Sequence, residues 1–158
     1  MKTLADAFLH TLKDVYFAEH ALAKALPRVA KAVSSKELKA ALKDHLAETK
    51  AQITALQRVF SLIGEAAEGE KCDAIDGLIR ECDGVIEEAT GKAARQAALI
   101  GCCQAIEHYE IARYGTLREW AKALGHDEAH DILSKILDQE KKANHSLTHL
   151  AVTSINQA

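Results

Sequence analysis

Ala105-Ile106-Glu107-His108-Tyr109-Glu110-Ile111-Ala112 lies midway along a segment that reads as a long helix. Around it, alternating steps of three and four residues pick out Ile100, Cys103, Glu107, Glu110, Tyr114, Leu117, Ala121 and Leu124. Residues so spaced share one helix face, and an apolar face turns toward other helices. Two carboxylates thus occupy slots where apolar side chains are expected. Burying one unpaired carboxylate is costly, and a second beside it adds repulsion. Either the helix rotates to expose them or a cation lies between them.

The flanking segments repeat the pattern. A first helix over residues 3–33 starts at Thr3, with Asp6 three residues on as a capping partner. Its stripe is Phe8, Leu12, Val15, Glu19, Leu22, Leu26, Val29 and Val33, apolar except at Glu19. Pro27 should bend this helix without ending it, since the stripe continues beyond. Ser34-Ser35-Lys36-Glu37 reads as a tight connection and a capping box. A second helix, 35–64, carries Leu38, Leu42, Leu46, Ile53, Leu56, Phe60 and Ile63, with a polar ridge of His45, Glu48 and Gln52 beside them and Gly64 as its stop. A shorter helix, 73–89, is weakened by Gly77 and Gly84 and carries the chain back across. The helix of the opening stretch spans 90–124 and stops at Gly125. The last helix, 127–155, presents Ala129, Leu133, Ile136, Glu140, Ala143, Leu147 and Leu150. The odd slot is again a glutamate.

These lengths predict a single all-α domain, residues 1–158: a four-helix bundle, antiparallel in pairs, with a long crossover between its second and third long helices that carries the short extra helix. The 158 residues contain one proline, and their Ala, Leu, Lys and Glu content favours helix. A formal net charge of −3 gives no reason to expect nucleic acid or a membrane surface as partner. No apolar run approaches the roughly 20 residues that span a bilayer. The start, Met1-Lys2-Thr3-Leu4-Ala5-Asp6, lacks a signal-peptide core, so the expected compartment is the cytoplasm. Cys72, Cys82, Cys102 and Cys103 form no C-x-x-C pair and are expected to be reduced packing residues.

Glu19, Glu48, Glu107 and Glu140 all fall near the midpoints of their helices. A helix of about 30 residues is roughly 45 Å long, and its midpoint height does not depend on its direction. The four carboxylates should therefore meet at one level, with Glu110 one turn from Glu107. A solvated helix face is the ordinary place for any one glutamate. That reading weakens when every long helix places one at the same depth and no Lys or Arg shares the stripes. Two divalent metal ions would balance the charge, and oxygen-rich ligation suits iron or manganese. His45, one turn before Glu48, is either a further ligand or a core histidine. Gln52 and Asn144 each follow a glutamate by four residues and are read as hydrogen-bonding partners of ligands, or as ligands. Tyr16 and Tyr114 lie a turn from Glu19 and Glu110; buried tyrosines seek hydrogen bonds, so they either orient carboxylates or, as the expected role, serve packing. The other histidines are read as surface or packing residues, and Trp120 as a ring that a partner subunit could cover.

Asp14-Val15-Tyr16-Phe17-Ala18-Glu19, His45-Leu46-Ala47-Glu48-Thr49-Lys50, Lys71-Cys72 with Gly77-Leu78-Ile79, Glu107-His108-Tyr109-Glu110 with Tyr114-Gly115-Thr116-Leu117, and Glu140-Lys141-Lys142-Ala143 together resemble the YciE/YciF stress-protein family. The resemblance covers nearly the whole chain. It implies a ferritin-like fold, a bacterial stress role and a homodimer. Ferritin-like di-iron proteins carry Glu-x-x-His on two helices. Glu19 and Glu107 correspond to their single glutamates, Glu48 and Glu140 to the paired ones, and Glu110 to an extra carboxylate of rubrerythrins. Ala51 and Ala143 stand where the histidines would be. The leading expectation, drawn from the converging carboxylates with the family's activity itself poorly defined, is a di-metal centre of iron or manganese acting on oxygen, peroxide or ferrous ion, by a ferroxidase-like or peroxidase-like step. The competing expectation is a non-enzymatic, dimeric interaction protein with structural metal or none. An iron-storage shell is a third.

Overall fold

The computed structural model describes residues 1–157. Its helices are α1 (Leu4–Ala32), α2 (Lys36–Leu62), α3 (Asp73–Glu88), α4 (Lys92–Ala123) and α5 (Asp127–Thr153), followed by a 3-10 turn, Ile155–Gln157. Local chemistry sets their ends. The Thr3 hydroxyl accepts from the Asp6 amide while the Asp6 carboxylate accepts from the Thr3 amide, a reciprocal cap. α2 and α5 are bounded by glycines in the left-handed region, Gly64 (φ 75°) and Gly125 (φ 76°). Beyond Gly64 the Glu65 amide reaches the Phe60 carbonyl, and beyond Gly125 the His126 amide reaches the Ala121 carbonyl. Each closes orphan carbonyls at the end of the preceding helix, α2 and α4 respectively. Pro27 lies inside α1, which continues past it as the stripe predicts.

Two boundaries differ from expectation. Ser35 caps α2 by accepting from the Leu38 amide, and Glu37 accepts from the Ser35 hydroxyl instead of from a backbone amide. The expected capping box is therefore a one-sided cap. The short helix and α4 do not abut at residues 89 and 90. Ala89–Gly91 separates them, and the Arg95 guanidinium bonds the Ala89 carbonyl across the break. Gly91 adopts extended backbone there, as suits a residue with poor helix propensity.

α1 lies beside α2 and α4, and α5 beside α4 and α2. The start of α4 meets the end of α1, where the Gln96 side-chain oxygen accepts from the Ser34 and Ser35 amides. The start of α5 meets the end of α2 through an Arg58–Glu128 ion pair at 2.9 Å. Neighbouring long helices therefore run antiparallel all round the bundle, and α3 covers one end of it against α1 and α4.

The core is in two parts. One half gathers Leu22, Leu26, Val29, Leu38, Leu42, Ile75, Leu99 and Ile100 under α3. The other gathers Phe8, Leu12, Val15, Leu56, Phe60, Leu117, Leu133 and Ile136. Between them the stripes turn polar on every long helix: Glu19, then His45, Thr49 and Gln52, then Glu107 and Glu110, then Glu140, all buried. On α2 this corrects the expected stripe. Leu46 and Ile53 are only partly covered, and the inward face passes through Leu42, His45, Thr49, Gln52 and Leu56. The polar ridge is the core face at this level, because it is the only part of α2 that can meet the carboxylates.

Candidate metal centre

Each member of the layer is placed by its helix periodicity, three or four residues from an apolar residue of either half-core. Ligand atoms of His45, Glu107, Glu110 and Glu140 all lie within 4.8 Å of one another. Glu19 faces Glu110 and Glu140 from α1 and is fully buried. Glu48 is only half-buried. It borders the group near Glu107 and lines a cavity of about 210 Å³ that opens onto His45 and Glu107. The structure thus brings Glu19, Glu107, Glu110 and Glu140 together in the interior, sets His45 among them and holds Glu48 at the rim.

Hydrogen bonds aim some of these groups. Tyr114 donates its hydroxyl to Glu19 Oε1. The Gln52 amide donates to Glu140 Oε1 at 2.5 Å and to Gln139 Oε1 at 3.2 Å. Asn144 points elsewhere: its oxygen accepts from Gln104, so it does not join the group. Tyr16 also faces away, accepting from the Gln57 amide and stacking edge-on against Phe60. Of the two roles open to Tyr114, packing and orienting a carboxylate, the structure shows the second, and the carboxylate is that of Glu19 on α1 and not that of its sequence neighbour Glu110. Thr49 was not anticipated at all. Its hydroxyl is fully buried in the layer, and the one available signal was that it completes the three-and-four spacing from His45 to Gln52.

The unfilled lone pairs are the telling part. Glu19 Oε2, Glu107 Oε2, Glu110 Oε2, Glu140 Oε2, His45 Nδ1 and Gln52 Oε1 are buried without a hydrogen-bond partner among the described residues. His45 Nδ1 stands 3.5 Å from Glu107 Oε1, too far to count as a good hydrogen bond. Buried acceptors left bare are costly, and native interiors avoid them. Among the described residues no Lys or Arg is buried. Burial, then the neighbouring carboxylates, pushes Glu107, Glu110 and Glu19 upward, and burial does the same to Glu140. Desolvation lowers His45 to about 4, which keeps the imidazole neutral and its lone pair available. Carboxylates that ionise only with difficulty, one neutral imidazole and an amide oxygen make a donor set that fits a hard or borderline divalent cation.

The cysteines are unpaired: Cys72, Cys82 and Cys103 are buried and Cys102 partly so. Trp120 is partly covered within the chain, packed on the half-core of Phe8 and Leu133. No helix is long and apolar enough to cross a membrane.

A family model described as a domain of unknown function, DUF892, matches residues 3–158. The Escherichia coli (strain K12) protein YciF is 42% identical over 158 residues, covering 99% of this chain and 95% of its own length. The crystal structure of that stress protein superposes with a TM-score of 0.96 at 41% identity and covers 100% of both chains. YcfI of Rhodopseudomonas palustris, described as a candidate structural protein, superposes with a TM-score of 0.91 at 44% identity over 93% of this chain and 94% of its own. A protein from Xanthomonas campestris shares the fold, with a TM-score of 0.77 at 22% identity over 98% of this chain and 94% of its own.

Proposed function

The chain belongs to the DUF892 family, to which YciF is closely similar, and from that premise we propose that it is a stress-response protein whose buried carboxylates hold two divalent ions, iron or manganese, and act on oxygen, peroxide or ferrous ion. The observation that carries this reading is the cluster of bare oxygens in a buried layer that, among the described residues, holds no Lys or Arg. Glu107, Glu110, Glu140 and His45 form the inner set, with Glu19 and Glu48 on its flanks. Bound iron or manganese would supply Lewis acidity and one-electron redox chemistry. The chain itself supplies placement. Gln52 orients Glu140, Tyr114 orients Glu19, and the two half-cores keep bulk water away. The cavity beside Glu48 admits a small oxidant or ion from one side. The same reading takes the protein as a cytoplasmic homodimer. Sedimentation as a large shell would favour iron storage instead.

Metal content tests the reading. Protein purified from iron- or manganese-supplemented cells should carry about two ions per chain, as dinuclear bundles do. A Glu107→Ala/Glu140→Ala variant should lose them while remaining helical. If the parent holds no metal under either supplement, the proposal fails. Turnover of peroxide or ferrous ion then separates catalysis from binding. A second reading is a single structural ion in a non-enzymatic interaction protein. The convergence of the four tightest ligands on one point favours it, and one ion per chain without turnover would select it.

A further inference from the structure

The α2–α5 groove provides a way into the buried layer, and its lining suits a cation. Two cavities meet there. The inner one reaches His45, Glu48 and Glu107. The outer one, about 510 Å³, is lined by Glu37, His145 and His149, and both share Ala41, Asp44 and Ser146. His145 and His149 are one turn apart on α5 and exposed, so they share a face at the outer end. Side-chain bonds span other seams of the bundle. Tyr114–Glu19 spans α1 and α4, Gln104 bonds Asn144 and Thr148 between α4 and α5, and Gln52–Glu140 shuts the groove on the far side of the layer.

Small side chains keep the groove open. Ala41 on α2 faces Ala143 and Ser146 on α5. Ala143 is three residues after Glu140, so a longer side chain there would enter the inner cavity. At the bottom, His45 Nδ1 and Glu107 Oε2 are buried without hydrogen-bond partners, and His45 is only 8% exposed. A water needs about 10–15 Å³ of such space, so the inner cavity has room for an ion with part of its hydration shell.

We propose that this groove is the entry route for the divalent ion, with the histidine pair and Asp44 as an outer landing site and Glu48 and His45 as the step inward. The inference rests on the metal-centre reading above. Glu37, Asp44 and Glu48 draw a cation inward, and the imidazoles replace its water. Lys142, which also lines the inner cavity, opposes it.

The test is the rate of Co2+ loading into metal-stripped protein, followed by stopped-flow absorbance, with final stoichiometry measured separately. Ser146→Leu, at an exposed position that lines both cavities and supplies none of the proposed ligands, should slow loading at least about tenfold, since entry must then await a helix fluctuation. Its final stoichiometry should equal the parent's. Ala143→Leu should do the same, which guards against a local folding defect in either variant. Asp44→Asn should slow loading about two- to threefold at low ionic strength and not at high, since one mouth charge is easily screened. Parent-like loading rates in both leucine variants would overturn the route while leaving the centre intact. A parent protein that takes up no Co2+ at equilibrium would overturn the centre and the route together.

Discussion

Glu110 shows at the scale of one residue what the layer demands. It is 1% exposed, faces Glu19, Glu140 and Glu107, and has one oxygen without a partner. Without a cation it can only hold a proton or repel its neighbours. Glu110→Leu should therefore stabilise the chelator-treated protein by about 1–3 kcal/mol, because it removes a buried polar group from an apolar setting. The same change should weaken metal binding. Thermal unfolding with and without metal measures both, and a variant that destabilises the stripped protein would contradict the account. Tyr114→Phe removes only the donor to Glu19. It should lower metal affinity about 10- to 100-fold with unchanged helicity, as read by competition with a chromophoric chelator. Glu19, Glu107, Glu110 and Glu140 were legible in the sequence because each interrupts an otherwise apolar stripe. Thr49 and the identity of the carboxylate that Tyr114 meets were not. A hydroxyl is compatible with surface and core alike, and periodicity does not say which partner it meets.

Among the elements, α2 was the hardest to read. Its leucines and isoleucines spread around the helix, so Leu46 and Ile53 looked as good a core face as His45 and Gln52. The polar layer on the other three helices decides the matter, and that is a tertiary fact. α4 is less obviously amphipathic for a related reason. It packs against α1, α3 and α5, and so buries Leu99 and Ile106 beside its main stripe. Helix ends were more legible, since glycines and small hydroxyl residues act locally. Gly125, at φ 76°, turns the chain from α4 into α5. Gly125→Ala should cost about 1 kcal/mol and lower the melting temperature by about 2–4 °C. Metal stoichiometry should stay the same, because the strain lies a long way from the carboxylates. Loss of metal in that variant would mean that the α4–α5 turn positions the site.

The whole molecule should respond to pH through the layer. Without metal, Glu140 is pushed up to about 7 and Glu107 to about 10, from an ordinary 4.5. Between 4.5 and those values the folded protein keeps protons that the unfolded chain has released, so stability falls as pH rises. His45, lowered to about 4, acts the other way. As pH falls below 6.5 the unfolded chain takes up a proton that the folded one refuses, and stability is lost. The two effects oppose each other in the acid range; above about 7 the carboxylates act, joined near 9 by the Cys82 and Cys103 thiols, which burial also pushes up and which therefore act in the same direction. The melting temperature of chelated protein should thus fall steadily from pH about 7 to about 10, and saturating metal should flatten or reverse the trend by replacing the protons. A chelated protein whose melting temperature rises across that range would show that the carboxylates are not buried in solution.

The apolar interior is split by that same layer into two clusters that share few side chains. Each has its own aliphatic and aromatic contacts, and what lies between them is a layer of acids that, without a cation, hold protons or repel one another. Cooperativity across the molecule then depends on what fills that layer. In calorimetry, the stripped protein should give a broadened transition with a van't Hoff enthalpy below the calorimetric one, as its ends loosen separately. An ion bridging ligands from opposite helices would fuse them into one melting unit.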